Sequence, residues 1–295
     1  MSGEPVVAAV GAPPRDAAGS RTRWSASRWG LALPLVGFLA AFVVYPVGLL
    51  AAQSLNDGHG WTLSAYRTLL TTPYYQRALW TSLGIATATS VVATGLGILF
   101  AVALTYGRIA RRGPIEQLLT LTIVFPSFLV AFSLIFVYGT SGVLNSLLMM
   151  VFRLHDPPLD FLYSWRGVAL ADIIVFTPFV LQAVLAVLRQ IDPALLEVAQ
   201  SLGAGTAATV CRVVLPLAAA GIFAGSSLAY LLALNEIGVV LFLGSTSVVT
   251  LPVVVYSEVF VNQSLQMSAA TAILASAMSL ALFAAYRSAL GRAVS

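Results

Sequence analysis

The chain has 295 residues, of which 59% are hydrophobic and 9% are charged, and its formal net charge is +4. Soluble domains carry about 25% charged residues, so this composition excludes an ordinary soluble domain or a disordered chain and indicates a multi-span membrane protein. All fifteen positive side chains are arginines. A Walker A loop ends in Gly-Lys-Ser/Thr, so a chain without lysine cannot hydrolyse ATP at such a loop.

Little else in the composition suggests site chemistry. The single cysteine, Cys211, excludes an internal disulfide. His59 and His155 are the only histidines and are far apart in sequence, so no metal cluster is expected. We expect no cofactor and no nucleic-acid partner.

Six long apolar stretches follow a polar N-terminal segment. Residues 1–29 are rich in Gly, Pro, Ser and Ala and are predicted to be a flexible cytosolic tail, ahead of a membrane domain at residues 30–290. A helix needs about 20 apolar residues to cross the hydrocarbon of a bilayer. The predicted spans are residues 30–52, 81–104, 118–138, 167–188, 216–243 and 268–286. The first is longer than the h-region of a signal peptide, which is about 7–15 residues.

The arginines predict the orientation. With the N-terminus inside, eleven arginines are cytosolic and four are outside, as the positive-inside rule requires. The predicted fold class is therefore an all-α polytopic membrane protein with six transmembrane helices and both termini in the cytosol. Residues 143–152 and 248–256 are apolar but too short to span, so we expect them at the interface or dipping back into the membrane.

The loop between the fourth and fifth spans combines helix signals with apolar residues outside the membrane. Asp192 is a favourable N-cap, and Pro193 suits the first helical position. Gly203 suits the left-handed residue that ends a helix. The segment between them is mostly apolar, with Leu195, Leu196, Val198, Ala199 and Leu202. Such a patch outside the membrane indicates a protein partner.

The spacing of this loop resembles the EAA loop of ABC importer permeases of the MetI-like superfamily. Glu197, Ala199 and Gly203 follow the pattern Glu-Ala-Ala-x3-Gly, and Leu215-Pro216 ends the pattern Ile-x-Leu-Pro nineteen residues after the glutamate. Two positions depart from the family pattern but remain apolar, where valines 198 and 213 replace alanine and isoleucine. The overall likeness covers nearly the whole chain, and the motif covers about twenty residues.

The resemblance implies an ABC transporter type-1 transmembrane domain in the bacterial plasma (inner) membrane. In this family the EAA loop is a coupling helix that docks in a groove of a separate ATP-binding cassette ATPase subunit. The implied coupling residues are Leu195, Leu196, Glu197, Val198, Ala199, Leu202, Gly203, Leu215 and Pro216. The other implied partners, besides the lipid bilayer, are an extracytoplasmic substrate-binding protein and a second permease, as a homodimer or heterodimer.

Two acids fall within predicted spans. An intramembrane carboxylate is costly and indicates function by default. Glu236 is expected about 30 Å along a helix from Pro216. Asn235 and Glu236 are expected to line the translocation path or hold a gate. Alternatively, Glu236 is a structural carboxylate paired with a neighbouring polar group. Asp172 lies near the start of its span, where we expect its charge to reach interfacial water, with a role in transport as the alternative.

Two further features occur within the spans. Thr177-Pro178 predicts a kink that lines the path or reflects packing alone. Gly221-x3-Gly225 is typical of closely packed helices.

The substrate is indicated by resemblance alone. Residues 176–180, 235–242 and 250–252 look most like 2-aminoethylphosphonate permeases, and residues 155–164 look similar too. Permeases for polyamine (spermidine/putrescine), ferric iron, thiamine and sulfate share the overall plan. The predicted spans contain acids but no arginine, so a phosphonate is expected to be recognised mainly by the binding protein.

Two other classes of protein compete with the importer. A secondary transporter would use Asp172 and Glu236 as proton or cation sites, but the EAA spacing argues against it. An intramembrane enzyme would need a catalytic motif, and the sequence contains neither His-Glu-x-x-His nor Gly-x-Ser-x-Gly. The protein is therefore predicted to be a transport subunit and not an enzyme.

Overall fold

A computed structural model describes residues 25–294 except 108, 110, 160, 161 and 245–247, with side chains described within residues 32–288. The described residues form two compact units, one ending at Ala52 and the other beginning at Gln53. Residues 1–24 of the predicted tail lie outside the described residues, and a helix begins at Ser25, inside the range predicted for the tail. Within the described residues, the β pairing is limited to an isolated bridge between Asn56 and Trp61.

The described residues are otherwise mainly helical. In chain order the helices are α1 (Ser25–Leu39), α2 (Tyr45–Ser54), α3 (Ser64–Thr71), α4 (Pro73–Tyr106), α5 (Arg112–Thr120), α6 (Ser127–Tyr138), α7 (Val143–Phe152), α8 (Trp165–Leu188), α9 (Pro193–Ser201), α10 (Thr206–Thr209), α11 (Leu215–Leu217), α12 (Ala219–Leu234), α13 (Leu251–Phe260) and α14 (Leu265–Val294). Three π-helical turns, Ala40–Val44, Val210–Val214 and Val240–Gly244, and a 3₁₀ turn at Leu121–Ile123 complete the helical segments.

The predicted number of spans is confirmed, with one of them bent. Five described stretches are long and apolar enough to cross a membrane: Ala32–Ser54, Pro73–Tyr106, Ser127–Phe152, Trp165–Leu188 and Leu265–Ser288. The sixth is the pair Thr206–Leu217 and Ala219–Leu234, whose axes differ by 70°. The short helix predicted near residues 248–256 is present as α13. The helix predicted at residues 143–152 is present as α7, but the candidate span Ser127–Phe152 includes it, whereas the sequence placed it outside the spans.

The third and fifth spans differ from the predicted single helices. The third, predicted at residues 118–138, is broken between α5 and α6, because Pro126 disfavours helical geometry in the residue before it. The fifth, predicted at residues 216–243, bends at Ala218, and its helix ends at Leu234. Glu236 therefore lies in a non-helical break and not part-way along a continuous helix.

The second unit is built around α8, which packs against α4 and α12. Its buried face includes Leu181, Val184, Leu185 and Leu188, each at most 2% exposed. The predicted close packing at Gly225 is present: a Cβ there would lie 2.9 Å from the Cα of Val180. Such contact fixes α12 on α8 because any larger side chain would collide with the backbone.

Helix α13 is held against α4 by two polar contacts. The Tyr75 hydroxyl donates to Glu258 Oε1 at 2.8 Å, and the Leu251 N–H donates to Ser82 Oγ at 2.8 Å. Glu258 is 4% exposed, so its hydrogen bond offsets part of the cost of burying a carboxyl group. The spans predicted from the sequence did not include this acid.

Candidate functional site

Helix α9 starts as the sequence predicts. The side chain of Asp192 accepts a hydrogen bond from the Ala194 N–H at 2.9 Å, and Pro193 occupies the first position. The cap satisfies one of the N–H groups that have no partner inside the helix. Local chemistry therefore fixes where the segment after α8 becomes helical.

The glycine corner at the end of α9 is also present. The Gly203 N–H donates to the Gln200 carbonyl at 2.9 Å, and the Ala204 N–H donates to the Ala199 carbonyl at 3.1 Å. These two bonds form a Schellman motif, which requires a left-handed residue between helix and loop. Gly203 supplies it with φ of +86°, a conformation that costs other residues about 1–2 kcal/mol.

Helix α9 exposes an apolar stripe formed by Leu195, Val198 and Leu202. Their exposed fractions are 48%, 57% and 83%, and their spacing places them on one helix face. Glu197 is exposed on the same short helix. Leu196 instead packs inward against the buried cluster of α4 and α8. The helix is thus attached to the bundle by one leucine and presents the stripe outward.

The remaining predicted coupling residues flank the stripe. Ala199 is half-buried and accepts the corner hydrogen bond described above. Leu215 is half-buried and Pro216 is exposed in α11, just before the 70° bend. Helix α9 contacts the π-helical turn Val210–Val214, so the two parts of the predicted motif are neighbours in space. The short helix α10 follows the corner and has Gly205 as its N-cap.

An ion pair braces the helix that leads into α9. Arg189, at the end of α8, donates to Glu116 of α5 at 2.6 Å. Arg112, in the first turn of α5, donates to the carbonyls of Thr105 and Gly107 at the end of α4. Cations near a helix C-terminus satisfy its carbonyls and its dipole. The ends of α4, α5 and α8 are therefore joined next to α9, a link that the sequence did not reveal.

Asp172 does not reach interfacial water, so that expectation is wrong. Its side chain is 0% exposed, because α8 is covered by other helices at this turn. Neither carboxylate oxygen has a hydrogen-bond partner among the described residues. The charged group that acts on it electrostatically is Glu236. Helix α8 packs against α6 and against the π-helical turn that follows Glu236, so the two intramembrane acids that the sequence singled out separately lie in one region of the bundle.

Glu236 lies where α12 ends, and two donors orient it. Its Oε1 accepts hydrogen bonds from Ser127 Oγ at 2.9 Å and from the Val239 N–H at 3.0 Å. The preceding Asn235 is exposed and donates to the Leu231 carbonyl at 2.8 Å and to Ser279 of α14 at 3.3 Å. Ser127 is 109 residues from Glu236, so sequence reasoning had no means of finding this partner.

Thr177 and Pro178 lie apart from this polar break. They line a largely apolar cavity of about 300 Å³ between α4, α5 and α8. The Thr177 hydroxyl donates to the Ile173 carbonyl at 2.6 Å, and α8 continues as a helix through Pro178. Their role in a translocation path remains a prediction, as does the kink.

A second cavity, of about 640 Å³, lies at the N-terminal ends of α4 and α8. Arg77, Tyr163 and Trp165 line it, together with Ile85 and Val248 deeper in. Ile85 and Val248 also belong to a buried apolar cluster with residues of α8 and of the segment after Glu236. The predicted second span began at residue 81, but α4 begins at Pro73 and includes Arg77.

Solved structures first define the class of fold. A bacterial ABC transporter that imports the acidic polysaccharide alginate matches with a TM-score of 0.79 and 19% identity, over 90% of this chain and 95% of that chain. At this identity the match shows a shared fold. The chain therefore has the fold of the membrane subunits of ABC importers.

The family follows from the sequence comparisons. Residues 93–293 match the model of the binding-protein-dependent transport system inner membrane component, and the chain belongs to this family. The putative 2-aminoethylphosphonate transport system permease protein PhnU of Salmonella typhimurium is 36% identical over 89% of this chain and 92% of its own length. The spermidine/putrescine permease PotB of Haemophilus influenzae is 28% identical over 86% of this chain and 91% of its own length.

Proposed function

We propose that the chain is the permease subunit of an ATP-driven, binding-protein-dependent importer of 2-aminoethylphosphonate. The observation that carries this proposal is the 36% identity to PhnU along nearly the full length of both chains. The exposed stripe of α9 supports ATP coupling, because a mostly apolar helix outside the membrane suits a groove on another protein. The substrate-binding protein and a second permease complete the transporter.

In this proposal, ATP acts on the permease from the α9 end of the bundle. Helix α9 follows the C-terminal end of α8, whereas the Arg77 cavity lies at its N-terminal end. A helix of 24 residues is about 36 Å long, so the two features lie on opposite sides of a bilayer. The α9 end and both termini are then cytosolic, and the cavity faces the substrate-binding protein. Residues 30–290 form the type-1 transmembrane domain.

Closure of the ATPase dimer would move α9 as a rigid element. Leu196 and the Arg189–Glu116 ion pair connect this movement to α4, α5 and α8. The ATPase would thereby favour one of two permease conformations, because it binds that conformation more tightly. The permease needs no nucleotide site of its own to take part in this cycle.

A polyamine is the second candidate substrate. The acid pair Asp172 and Glu236 favours a solute with at least one positive group, because no arginine is among the groups that act on Asp172. The similarity to PotB points the same way at lower identity. A zwitterionic aminophosphonate and a polyamine share the ammonium group that such acids would recognise.

Growth of a strain that lacks the gene for this permease tests whether 2-aminoethylphosphonate is the substrate. The strain receives 2-aminoethylphosphonate as its sole phosphorus source, with inorganic phosphate as the control medium. We expect the wild-type gene, but not Glu197→Arg, to restore growth, with both proteins present in the membrane. Growth of the deletion strain without either gene, when no second uptake route exists, would refute the aminophosphonate proposal, and uptake of labelled spermidine would then test the polyamine.

A further inference from the structure

Helix α8 contains a buried carboxylate, Asp172, that has no counter-charge among the described residues. Asp172 is fully buried, and neither of its oxygens has a hydrogen-bond donor among the described residues. A charged carboxylate is strongly unfavourable in such surroundings, and the charge of Glu236 adds repulsion. A positive group placed between the two acids would remove both costs.

A positive group can approach the two acids from the side of Glu236. Both of its hydrogen-bond donors, Ser127 Oγ and the Val239 N–H, converge on Oε1, and within the described residues Oε2 has no donor. Its side chain is half-buried and the neighbouring Asn235 is exposed. Non-helical backbone and a carboxylate at membrane depth are not tolerated against lipid. The exposed side of the break at Asn235 and Glu236 therefore borders an aqueous path or a second subunit.

Three partly exposed phenylalanines lie at and beyond the contact between Ser127 and Glu236. Phe128 follows Ser127 directly, and the Phe242 ring lies 6.2 Å from its centroid and 4.5 Å from that of Phe132. The three side chains are 39–40% exposed, so parts of their rings are open to a ligand. Ring faces attract organic cations, and they do so more strongly where water is excluded.

We propose that Asp172, Glu236 and the rings of Phe128, Phe132 and Phe242 form a site for the ammonium group of a solute passing through the permease. The inference rests on the proposed function and deepens it, because it assigns the amine end of the solute to this site. A metal ion fits less well: hard cations take six or more oxygen ligands, and the described residues contain no cluster of three candidate ligand side chains. Glu236 contacts the ammonium group directly, and the buried Asp172 contributes a second negative charge from α8.

Equilibrium binding tests the site without the substrate-binding protein. The permease–ATPase complex is placed in nanodiscs and titrated with labelled 2-aminoethylphosphonate. Ethanolamine, which has the ammonium group alone, and ethylphosphonate, which has the phosphonate alone, serve as competitors. We expect ethanolamine to compete at least tenfold better than ethylphosphonate, and Glu236→Gln and Asp172→Asn each to raise the dissociation constant at least tenfold.

Glu258→Gln is the matched control, because it changes another buried acid that is bonded to Tyr75 in α13. It should bind the labelled solute like wild type. Equal competition by both analogues, or wild-type binding by Glu236→Gln and Asp172→Asn, would overturn the ammonium site while leaving the importer intact.

Failure of the proposed function gives a different result. If the wild-type complex neither transports nor binds 2-aminoethylphosphonate, that substrate is wrong, and labelled ethanolamine is then titrated directly. Binding that is lost in the two acid variants would support the ammonium site for another amine. Absence of binding, or binding that both variants retain, would overturn it.

Discussion

The substitution Leu202→Ser is expected to weaken docking of the ATPase without changing the folding of the permease. Leu202 is 83% exposed at the end of α9, so the folded permease makes little use of its side chain. The Schellman bonds of the corner involve backbone atoms and do not depend on this side chain. We therefore expect the variant to insert and to unfold at the same temperature as wild type.

The expected loss appears in the affinity for the ATPase subunit. Full burial of a leucine side chain contributes about 1.5–3 kcal/mol, and 83% of that surface remains to be buried in a complex. The variant should lose about 1.2–2.5 kcal/mol, which weakens binding about 8-fold to 60-fold. Leu195→Ser should give a smaller effect, because Leu195 is 48% exposed and has less surface left to bury.

Titration of the ATPase subunit onto the permease in nanodiscs measures this loss. Leu70→Ser in α3 is the control, because Leu70 is 59% exposed but lies next to the N-terminal end of α4, away from α9. It should leave the dissociation constant unchanged. A Leu202→Ser protein that binds the ATPase as tightly as wild type would refute docking through the stripe.

Three further changes test the corner, the helix contact and the ion pair. Gly203→Ala should cost about 1 kcal/mol in the left-handed corner and speed amide hydrogen exchange in α9; unchanged exchange would argue against the need for glycine. Gly225→Leu should lower the unfolding temperature in detergent, because its Cβ would lie 2.9 Å from Val180 Cα, and a stable variant would contradict the close packing. A double-mutant cycle on Arg189 and Glu116 should give no more than about 1 kcal/mol, because Arg189 is 57% exposed; a coupling of several kcal/mol would show a stronger bridge.

Local rules predicted what lies close together in sequence. The Asp192 cap, the Pro193 start and the Gly203 corner of α9 depend on residues a few positions apart, and all three are present. The number of spans followed from apolar length, because membrane thickness sets that length. The family followed from the spacing of Glu197, Ala199 and Gly203, and the family match confirms it.

Features that depend on distant partners could not be predicted. The spans are apolar on every face, so periodicity gave no sign that Asp172 lies fully inside the bundle. The Glu236 bond to Ser127 joins the break after α12 to the start of α6 through residues that no spacing rule connects. The 70° bend at Ala218 was missed as well, because apolar length alone does not distinguish one long helix from two joined at an angle.

ATP-driven uptake by the complete transporter is the most direct test of the proposed function. The permease and its ATPase are reconstituted in liposomes, with labelled 2-aminoethylphosphonate and the substrate-binding protein on one side and ATP on the other. We predict accumulation that needs ATP hydrolysis and the binding protein and that Glu197→Arg abolishes. Accumulation by the permease alone, driven by an ion gradient and lost in Asp172→Asn or Glu236→Gln, would contradict the importer and establish a secondary transporter.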